Sequence, residues 1–175
     1  MFDRGVLTNE KIEIGAGRMK AIVLSDSHGG FSGITDIILR ERELGNIDLI
    51  VHAGDIQADV DSILFSFPDI KCEYVLGNND WRITDVPFQR IFTFGGKKIF
   101  LTHGHKYGVK STLYNLRSKA RDVGADICIF GHTHIPHLQT EDGILMFNPG
   151  TSFRTYGVLK IDDGGNIDAE IKRRD

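Results

Sequence analysis

Five short polar segments of the sequence carry side chains that proteins use to bind metal ions. Each segment directly follows an apolar run and contains or adjoins glycine. Carboxylate, carboxamide and imidazole donors without thiolates favour Mn, Fe, Zn, Co or Ni over a structural cysteine-based zinc site. Taken singly, each segment also fits a surface turn or a helix cap, but together they predict a metal site. The segments are Asp26-Ser27-His28, Gly54-Asp55, Gly77-Asn78-Asn79-Asp80, His103-Gly104-His105 and Gly131-His132-Thr133-His134.

The number of candidate ligands points to two ions. Three protein ligands normally hold one catalytic ion, and an aspartate can bridge two ions through its two oxygens. The spacing agrees, because two pairs of candidates are two residues apart and alternate residues of an extended segment face the same way. Together the five segments offer seven plausible ligands.

The apolar pattern indicates which elements position these segments. Apolar runs bounded by Gly, Asn and Asp alternate with segments of helical period, as in layered α/β proteins. Glycine-rich turns predict hairpins in the second half of the chain. We therefore predict an α/β fold, a sandwich of two mixed β-sheets flanked by helices, with the polar segments sharing one crevice at the strand carboxyl ends. The candidate strands are 21–24, 49–53, 73–76, 99–102 and 127–130, the helices are 34–45, 60–67 and 111–123, and the turns are 95–96, 141–143 and 163–166.

Length and composition predict one folded domain. The chain has 175 residues, of which 41% are hydrophobic and 26% are charged, which is ordinary for a globular protein. No apolar run exceeds four residues, whereas a membrane-spanning helix needs about 20, so we expect no membrane crossing. We predict a single domain over residues 19–175. Residues 1–18 are interpreted as an N-terminal extension, and the sequence leaves open whether they are native and ordered.

Charge and cysteine content limit the partners and the compartment. The net charge of -3 and the pI of about 6.1 provide no positive field for a phosphate backbone, so non-specific nucleic-acid binding is not expected. Cys72 and Cys128 lack a Cys-x-x-Cys spacing and are predicted to be buried thiols in a reducing compartment. The charged N-terminus lacks the apolar core of a secretory signal. These features predict a cytoplasmic protein, and they do not define its oligomeric state.

In their order and spacing, the five polar segments resemble the motifs of the calcineurin-like metallophosphoesterase superfamily, over about residues 19–134. The short length and the hairpin-rich C-terminal part are similar to the small bacterial and archaeal phosphodiesterase branch, which also contains the retromer scaffold subunit. The resemblance implies that two divalent ions, with manganese favoured, activate a hydroxide that attacks a phosphoester. It also implies which residues hold each ion: Asp26, His28, Asp55 and His134 the first, and Asp55, Asn78, His103 and His132 the second, with Asp55 bridging.

One position departs from the phosphomonoesterases of the superfamily. The residue after the liganding asparagine is typically a histidine that protonates the leaving group, but here it is Asn79, whose amide cannot act as a general acid. The resemblance therefore implies small phosphodiesters, nucleotide-derived ones included, or activated leaving groups. His105 or Asp80 could partly replace the missing acid, and Asp80 could instead orient liganding imidazoles. The expected catalytic set is Asp55, Asn79, Asp80 and His105.

Two alternative functions remain open at this stage. A phosphomonoesterase would differ in its rate on monoesters and diesters. A non-catalytic interaction scaffold on the same fold would be indicated by lost ligands and a large exposed apolar patch, whereas every ligand position is filled here.

Four further residues near the motifs could be mistaken for site residues. His52 lies within a predicted strand and is expected to be packed or to support the ligands, and His137 follows Pro136 and is expected at the surface. Trp81 and Tyr107 flank the motifs and could line a base or aryl pocket, although a packing role is the more ordinary one.

Overall fold

The computed structural model describes residues 17–80, 82–83 and 85–174. Residues 1–16 of the predicted extension and Trp81 lie outside the described residues. Arg18, which the sequence analysis placed in the extension, is the first residue of the first strand. Among the described residues, no helix combines the length and the apolar character needed to cross a bilayer.

The described part of the chain forms ten strands, three α-helices and one short 3-10 turn at His105–Tyr107. The strands are β1 (Arg18–Leu24), β2 (Leu49–His52), β3 (Lys71–Tyr74), β4 (Gln89–Phe94), β5 (Lys97–Thr102), β6 (Ile127–Ile129), β7 (His137–Glu141), β8 (Ile144–Asn148), β9 (Thr155–Asp162) and β10 (Ile167–Arg173). The helices are α1 (Phe31–Glu43), α2 (Gln57–Ser66) and α3 (Tyr114–Asp122).

The strands form two mixed sheets of five strands each. The order is β10-β9-β1-β2-β3 in the first sheet and β4-β5-β6-β8-β7 in the second. Within the first sheet β1, β2 and β3 are parallel, and within the second β5, β6 and β8 are parallel. The remaining pairs are antiparallel. The predicted α/β sandwich of two mixed sheets is confirmed.

Side chains of the central strands alternate between the two faces of each sheet, and this alternation explains how the layers of the molecule pack. Ala21 and Val23 of β1 face the core between the sheets, whereas Ile22 and Leu24 face the core that the first sheet shares with α1 and α2. On the far side, residues of the second sheet such as Phe100 pack against α3. Successive side chains of a strand point to opposite faces, so an apolar run without alternation is buried on both sides. The molecule therefore has the layers helix, sheet, sheet, helix.

All three predicted hairpins are confirmed. The glycine pair at 95–96 joins β4 to β5, the turn at 142–143 joins β7 to β8, and the turn at 163–166 joins β9 to β10. Gly95 and Gly96 have φ values of 54° and 76°, which glycine adopts without the penalty of a side chain. These turn residues thus determine which strands pair antiparallel in the second half of the chain.

Several predicted boundaries are shifted by one to three residues, and hydrogen bonds explain two of these shifts. The third strand ends at Tyr74 and not at residue 76, because the N–H of Leu76 donates to the carbonyl of Pro87 (3.0 Å) and leaves the ladder with β2. The third helix begins at Tyr114 and not at residue 111, because the N–H groups of Ser111 and Thr112 both donate to Gly108 in a preceding turn. Cys72 and Cys128 are free thiols; Cys128 is buried as predicted, whereas Cys72 is half-buried.

Candidate metal centre

The five polar segments meet at one edge of the sandwich, where the carboxyl ends of the two parallel sets of strands converge. The N–H of Asp26 donates to the carbonyl of Gly54 (3.0 Å), which joins the loops after β1 and β2. The N–H of Gly131 donates to the carbonyl of His103 (3.1 Å), which joins the loops after β6 and β5. The N–H of His132 donates to Asp26 Oδ2 (3.0 Å) and connects the two sheets. The loops therefore form one connected site.

Most of the predicted ligands have a left-handed backbone conformation. Such φ values are uncommon outside glycine and cost on the order of 1–3 kcal/mol per residue, so they persist only where the surrounding contacts impose them. Their concentration here indicates loops that are shaped to direct side chains inward. The residues are Asp26 (51°), His28 (44°), Asp55 (52°), His132 (68°) and His134 (60°).

His103 lies at the centre of the site and is fully buried. Its Nδ1 is 2.7 Å from the carbonyl oxygen of Ala53, an acceptor, so Nδ1 carries the ring proton and Nε2 has a free lone pair. That Nε2 faces three oxygen atoms: Asn78 Oδ1 at 3.1 Å, Asp55 Oδ2 at 3.5 Å and Asp26 Oδ1 at 3.8 Å. This arrangement directs four electron-pair donors toward one another.

A second group of donors surrounds Asp26. Its Oδ1 is 3.1 Å from Nε2 of His134, and that nitrogen is 3.3 Å from Nε2 of His28. The carboxylate is completely buried, and within the described part of the chain its Oδ1 accepts no hydrogen bond. Its other oxygen accepts the hydroxyl of Ser25 (2.6 Å) as well as the N–H of His132. Oδ1 is therefore held in place but left unsatisfied.

The donor set fits divalent cations. Asp26 and Asp55 are both buried, and the ion pairs that they form among the described residues are with histidines and not with lysine or arginine. Buried carboxylates that lack a cation are costly, and an Nε2 lone pair that faces three oxygens is satisfied only by a positive centre. Two overlapping groups, Asp26 with His28 and His134, and Asp26 with Asp55 and His103, have donor atoms within 4.8 Å of one another.

His132 and His105 lie beside this centre. The ring centroid of His132 is 5.0 Å from that of His103, and the ring of His105 is 5.5 Å from His103 and 6.1 Å from His132. Burial is the main cause that lowers the pKa of His132 to about 4, and burial also lowers the pKa of His105. Both rings are therefore neutral near pH 7, the form in which imidazole binds a metal.

The two asparagines of the third segment have different contacts. Asn78 points its Oδ1 at His103 Nε2 (3.1 Å), as expected for a ligand. Asn79 instead holds Asp55 with two hydrogen bonds, from its N–H to Oδ1 (2.9 Å) and from Nδ2 to Oδ2 (2.6 Å). Asn79 thereby orients the carboxylate that was predicted to bridge.

Asp80 fixes the backbone around Asp55 and does not orient imidazoles. Its Oδ2 accepts the N–H groups of Asp55 (3.1 Å) and Gly77 (2.8 Å), and its Oδ1 accepts the N–H of Gln57 (2.8 Å). The side chain is buried, and these three amides occupy both of its oxygens. The expectation that Asp80 binds a liganding imidazole has no support in these contacts, and neither does a role as proton donor.

The sequence analysis missed one segment that positions ligands, residues 148–152. Nδ2 of Asn148 donates to the Gly131 carbonyl (3.0 Å) and to Thr133 Oγ1 (2.9 Å). The hydroxyl of Thr151 donates to the Asp26 carbonyl (2.9 Å), and that of Ser152 donates to the Ser25 carbonyl (2.9 Å). The signal was present, because an apolar run at 144–147 precedes Asn148 and Gly150 just as apolar runs precede the ligand segments.

Two other buried groups support the first loop. Asp59 on α2 accepts the N–H of Gly29 (2.9 Å), next to His28. His52 is fully buried, with Nε2 3.1 Å from Ser27 Oγ and Nδ1 accepting the N–H of Gly54 (3.2 Å). It is a supporting histidine, as the sequence indicated. His137 is half-buried, with Nε2 3.2 Å from Glu141 Oε1, so it is not the surface residue that was predicted.

Comparison with known protein families identifies the architecture. The sequence model of the calcineurin-like phosphoesterase superfamily domain matches residues 19–163. The chain belongs to this superfamily. Members of the calcineurin-like phosphoesterase superfamily use divalent metal ions, and the groups around Asp26 and His103 could hold such an ion in this chain.

Two proteins are similar to this chain in sequence, and a third is similar in fold. A probable metallophosphoesterase of Bacillus subtilis is 34% identical over 133 residues, which are 76% of this chain and 75% of that protein. A phosphodiesterase of Methanocaldococcus jannaschii is 26% identical over 168 residues, which are 81% of this chain and 92% of that protein. The structure of vacuolar protein sorting 29 from Cryptosporidium parvum has a TM-score of 0.70 at 16% identity, over 89% of this chain and 97% of that one. The last comparison demonstrates a shared fold only.

We expect Gly77→Ala to weaken metal binding. A Cβ at Gly77 would collide with Asp55 Oδ1 and lie 2.7 Å from the Asp55 amide nitrogen, so the carboxylate must move. Manganese affinity measured by isothermal titration calorimetry should fall by roughly 10–100-fold, the loss typical of disturbing the support of a metal ligand. Gly164→Ala is the matched control, since its Cβ would meet only Asn166 Nδ2 and Asp162 Oδ1 at 3.2 Å. Equal affinities of the two variants would contradict the proposed crowding at Asp55.

We expect His52→Gln to flatten the acid dependence of stability. Burial lowers the pKa of His52 from 6.5 to about 4, against the opposing charges of Asp26, Asp59 and Asp80. The unfolded chain therefore takes up this proton first as the pH falls below 6.5, and stability is lost between pH 6.5 and about 4. The metal-free wild type should lose roughly 2–3 kcal/mol more than the variant between pH 7 and pH 4.5 in urea unfolding. An equal loss in both proteins would show that His52 titrates normally.

Proposed function

We propose that the protein is a phosphodiesterase that uses two divalent transition-metal ions, with manganese favoured. The observation that carries the proposal is the buried Nε2 lone pair of His103, which faces Asn78, Asp55 and Asp26. Two buried carboxylates with no lysine or arginine partner among the described residues support it further. Superfamily membership supplies the reaction class, because calcineurin-like phosphoesterases hydrolyse phosphoesters.

Seven side chains would hold the two ions. Asp26, His28, Asp55 and His134 would bind the first, and Asp55, Asn78, His103 and His132 the second. The contacts of Asp26 support a closely spaced pair, because its Oδ1 lies near both His134 and His103. The two hydrogen bonds from Asn79 hold both oxygens of Asp55 in a fixed plane, which favours a bridging role.

The charges of the site favour an anionic substrate. Two divalent ions contribute +4 and the carboxylates of Asp26 and Asp55 contribute -2, which leaves +2 before any hydroxide is counted. When bound, such ions lower the pKa of a water molecule toward ~7 and stabilise charge on phosphoryl oxygens. The protein's own contribution is to hold the neutral imidazoles and buried carboxylates in position through Ala53, Asn79 and Asp80.

Asn79 favours diesters over monoesters. Its amide is already bonded to Asp55 Oδ2 (2.6 Å) and cannot transfer a proton to a leaving group. The three backbone amides on Asp80 occupy its oxygens as well. His105 is the remaining imidazole beside the predicted ligands. Diesters with stabilised leaving groups need the least protonation, and the phosphodiesterase of M. jannaschii is a relative with that activity in its name.

A scaffold function is the second candidate, and the fold of vacuolar protein sorting 29 is the observation that favours it. Unlike a scaffold that has lost catalysis, this chain retains every predicted ligand. The cytoplasmic location, the small or nucleotide-derived phosphoester substrate and the single domain at 19–175 remain predictions.

The test is metal-reconstituted activity on a panel of cyclic nucleotides, dinucleotides and model esters. We expect bis(4-nitrophenyl) phosphate to be hydrolysed faster than 4-nitrophenyl phosphate, with activity removed by chelation and restored by manganese. A faster rate on the monoester would indicate a phosphomonoesterase. Stoichiometric metal binding without hydrolysis of any ester would indicate the scaffold.

A further inference from the structure

A pocket of about 450 Å³ opens beside the candidate metal centre on the outer side of the second sheet. It lies between the turn before α3 and the loop that joins β6 to β7. Its walls are largely apolar, with one lysine at the boundary. The residues that matter here are Val109, Lys110, Leu113, Phe130, Thr133 and Ile135.

The pocket adjoins the loops that carry the predicted ligands at two places. Thr133 lies between His132 and His134 in the chain and lines the pocket. Val109 packs closely on Gly104, the residue between His103 and His105. Lys110 follows Val109 in the chain and also lines the pocket. A molecule whose phosphate lies at the metal centre would therefore direct one substituent into this pocket.

The residues that line the pocket indicate what kind of substituent it can bind. Val109 and Phe130 are buried, and Leu113 is half-buried, so the inner wall is rigid and apolar. Ile135 is 69% exposed and forms the outer wall. Ligand pockets of about 300–1,000 Å³ with apolar walls and a few polar groups bind organic groups by excluding water. Lys110 adds a positive charge to the lining of this pocket, which suits an anionic phosphate attached to an apolar substituent.

We infer that this pocket binds an aromatic ester substituent of the substrate, an aryl group or a nucleobase, while Lys110 binds the attached phosphate. This inference rests on the proposed phosphodiesterase function and specifies its substrate class. It assigns Ile135 and Leu113 to substrate selection and Lys110 to phosphate binding, separately from the metal ligands.

The experiment compares the binding of phenylphosphonate and methylphosphonate to the manganese-loaded protein by isothermal titration calorimetry. Both probes present the same anionic head, so the ratio of their Kd values isolates the aromatic group. We expect a preference for phenylphosphonate of roughly tenfold or more from the burial of its ring. Ile135→Ala and Leu113→Ala should each reduce that preference several-fold. Lys110→Gln should raise the Kd of both probes by a similar factor and leave the preference unchanged.

Ile91→Ala is the matched control, because Ile91 is also exposed (53%) and lies on β4 outside the pocket. It should leave the preference unchanged. Equal binding of both probes by the wild type, or an undiminished preference in both wall variants, would overturn the pocket assignment and leave the phosphodiesterase proposal intact. If the metal-loaded protein bound neither probe and hydrolysed no diester, both the pocket assignment and the phosphodiesterase proposal would be overturned.

Discussion

Asp55→Asn should abolish activity and release metal. Asp55 is buried, contacts His103 Nε2 at 3.5 Å, and is the carboxylate held by both hydrogen bonds of Asn79. Its replacement by a neutral amide removes one of the two carboxylates that face His103 Nε2. We therefore expect a fall in kcat/KM of ~10³-fold or more, beyond the roughly 10–100-fold cost of disturbing a residue that only supports a ligand. Activity on a diester and bound manganese, measured by atomic absorption after desalting, should fall together.

Asp61→Asn is the matched control for this change. Asp61 lies on the exposed face of α2 and bonds only to Gln57 Nε2 (3.1 Å) among the described residues. The same substitution there should preserve activity and two bound ions. Retention of two ions by Asp55→Asn would contradict the bridging assignment, even if its activity were low.

Asn79→His should raise the hydrolysis of an unactivated monoester more than that of an activated diester. The substitution introduces a group that can protonate a leaving group, and general acid catalysis is typically worth ~10²- to 10⁴-fold. The gain is reduced by the loss of the Nδ2 hydrogen bond to Asp55, which should lower metal affinity and affect both substrates equally. The readout is therefore the ratio of kcat/KM for phenyl phosphate to that for bis(4-nitrophenyl) phosphate at full metal occupancy.

Asn79→Ala is the control for Asn79→His, because it also removes the side-chain contact with Asp55 but adds no group that can donate a proton. Its substrate ratio should remain close to that of the wild type. An equal ratio in the wild type and Asn79→His would mean that residue 79 does not lie near the leaving group, and that selectivity comes from the pocket beside Ile135.

The fold and the meeting of the five polar segments at one edge were predictable because simple local rules determine them. An apolar run followed by glycine and a polar ligand marks the carboxyl end of a buried strand, and the parallel ends of β1, β2, β5 and β6 do meet at one edge. The turn at 95–96 likewise predicted the β4–β5 hairpin. These features depend on residues that are close together in the sequence.

The supporting contacts were not predictable because they join distant parts of the chain. Ser152 bonds to Ser25 across 127 positions, and Asn79 bonds to Asp55 across 24. The Asp80 carboxylate was expected to accept hydrogen bonds from liganding imidazoles. The turn that brings it to Gly77 instead places it against backbone amides. A carboxylate in such a motif can accept hydrogen bonds from an imidazole or from backbone N–H groups. The path of the loop determines which of these donors it meets.

The most direct test of the proposed function is the rate of diester hydrolysis as a function of bound manganese. Metal-free protein would be titrated with manganese while bound metal and initial rate on bis(4-nitrophenyl) phosphate are measured on the same samples. If two ions act together, the rate should stay low up to one equivalent and rise as the second binds. A rate that saturates at one equivalent would contradict the two-ion centre, and two bound ions without hydrolysis would contradict phosphodiesterase activity.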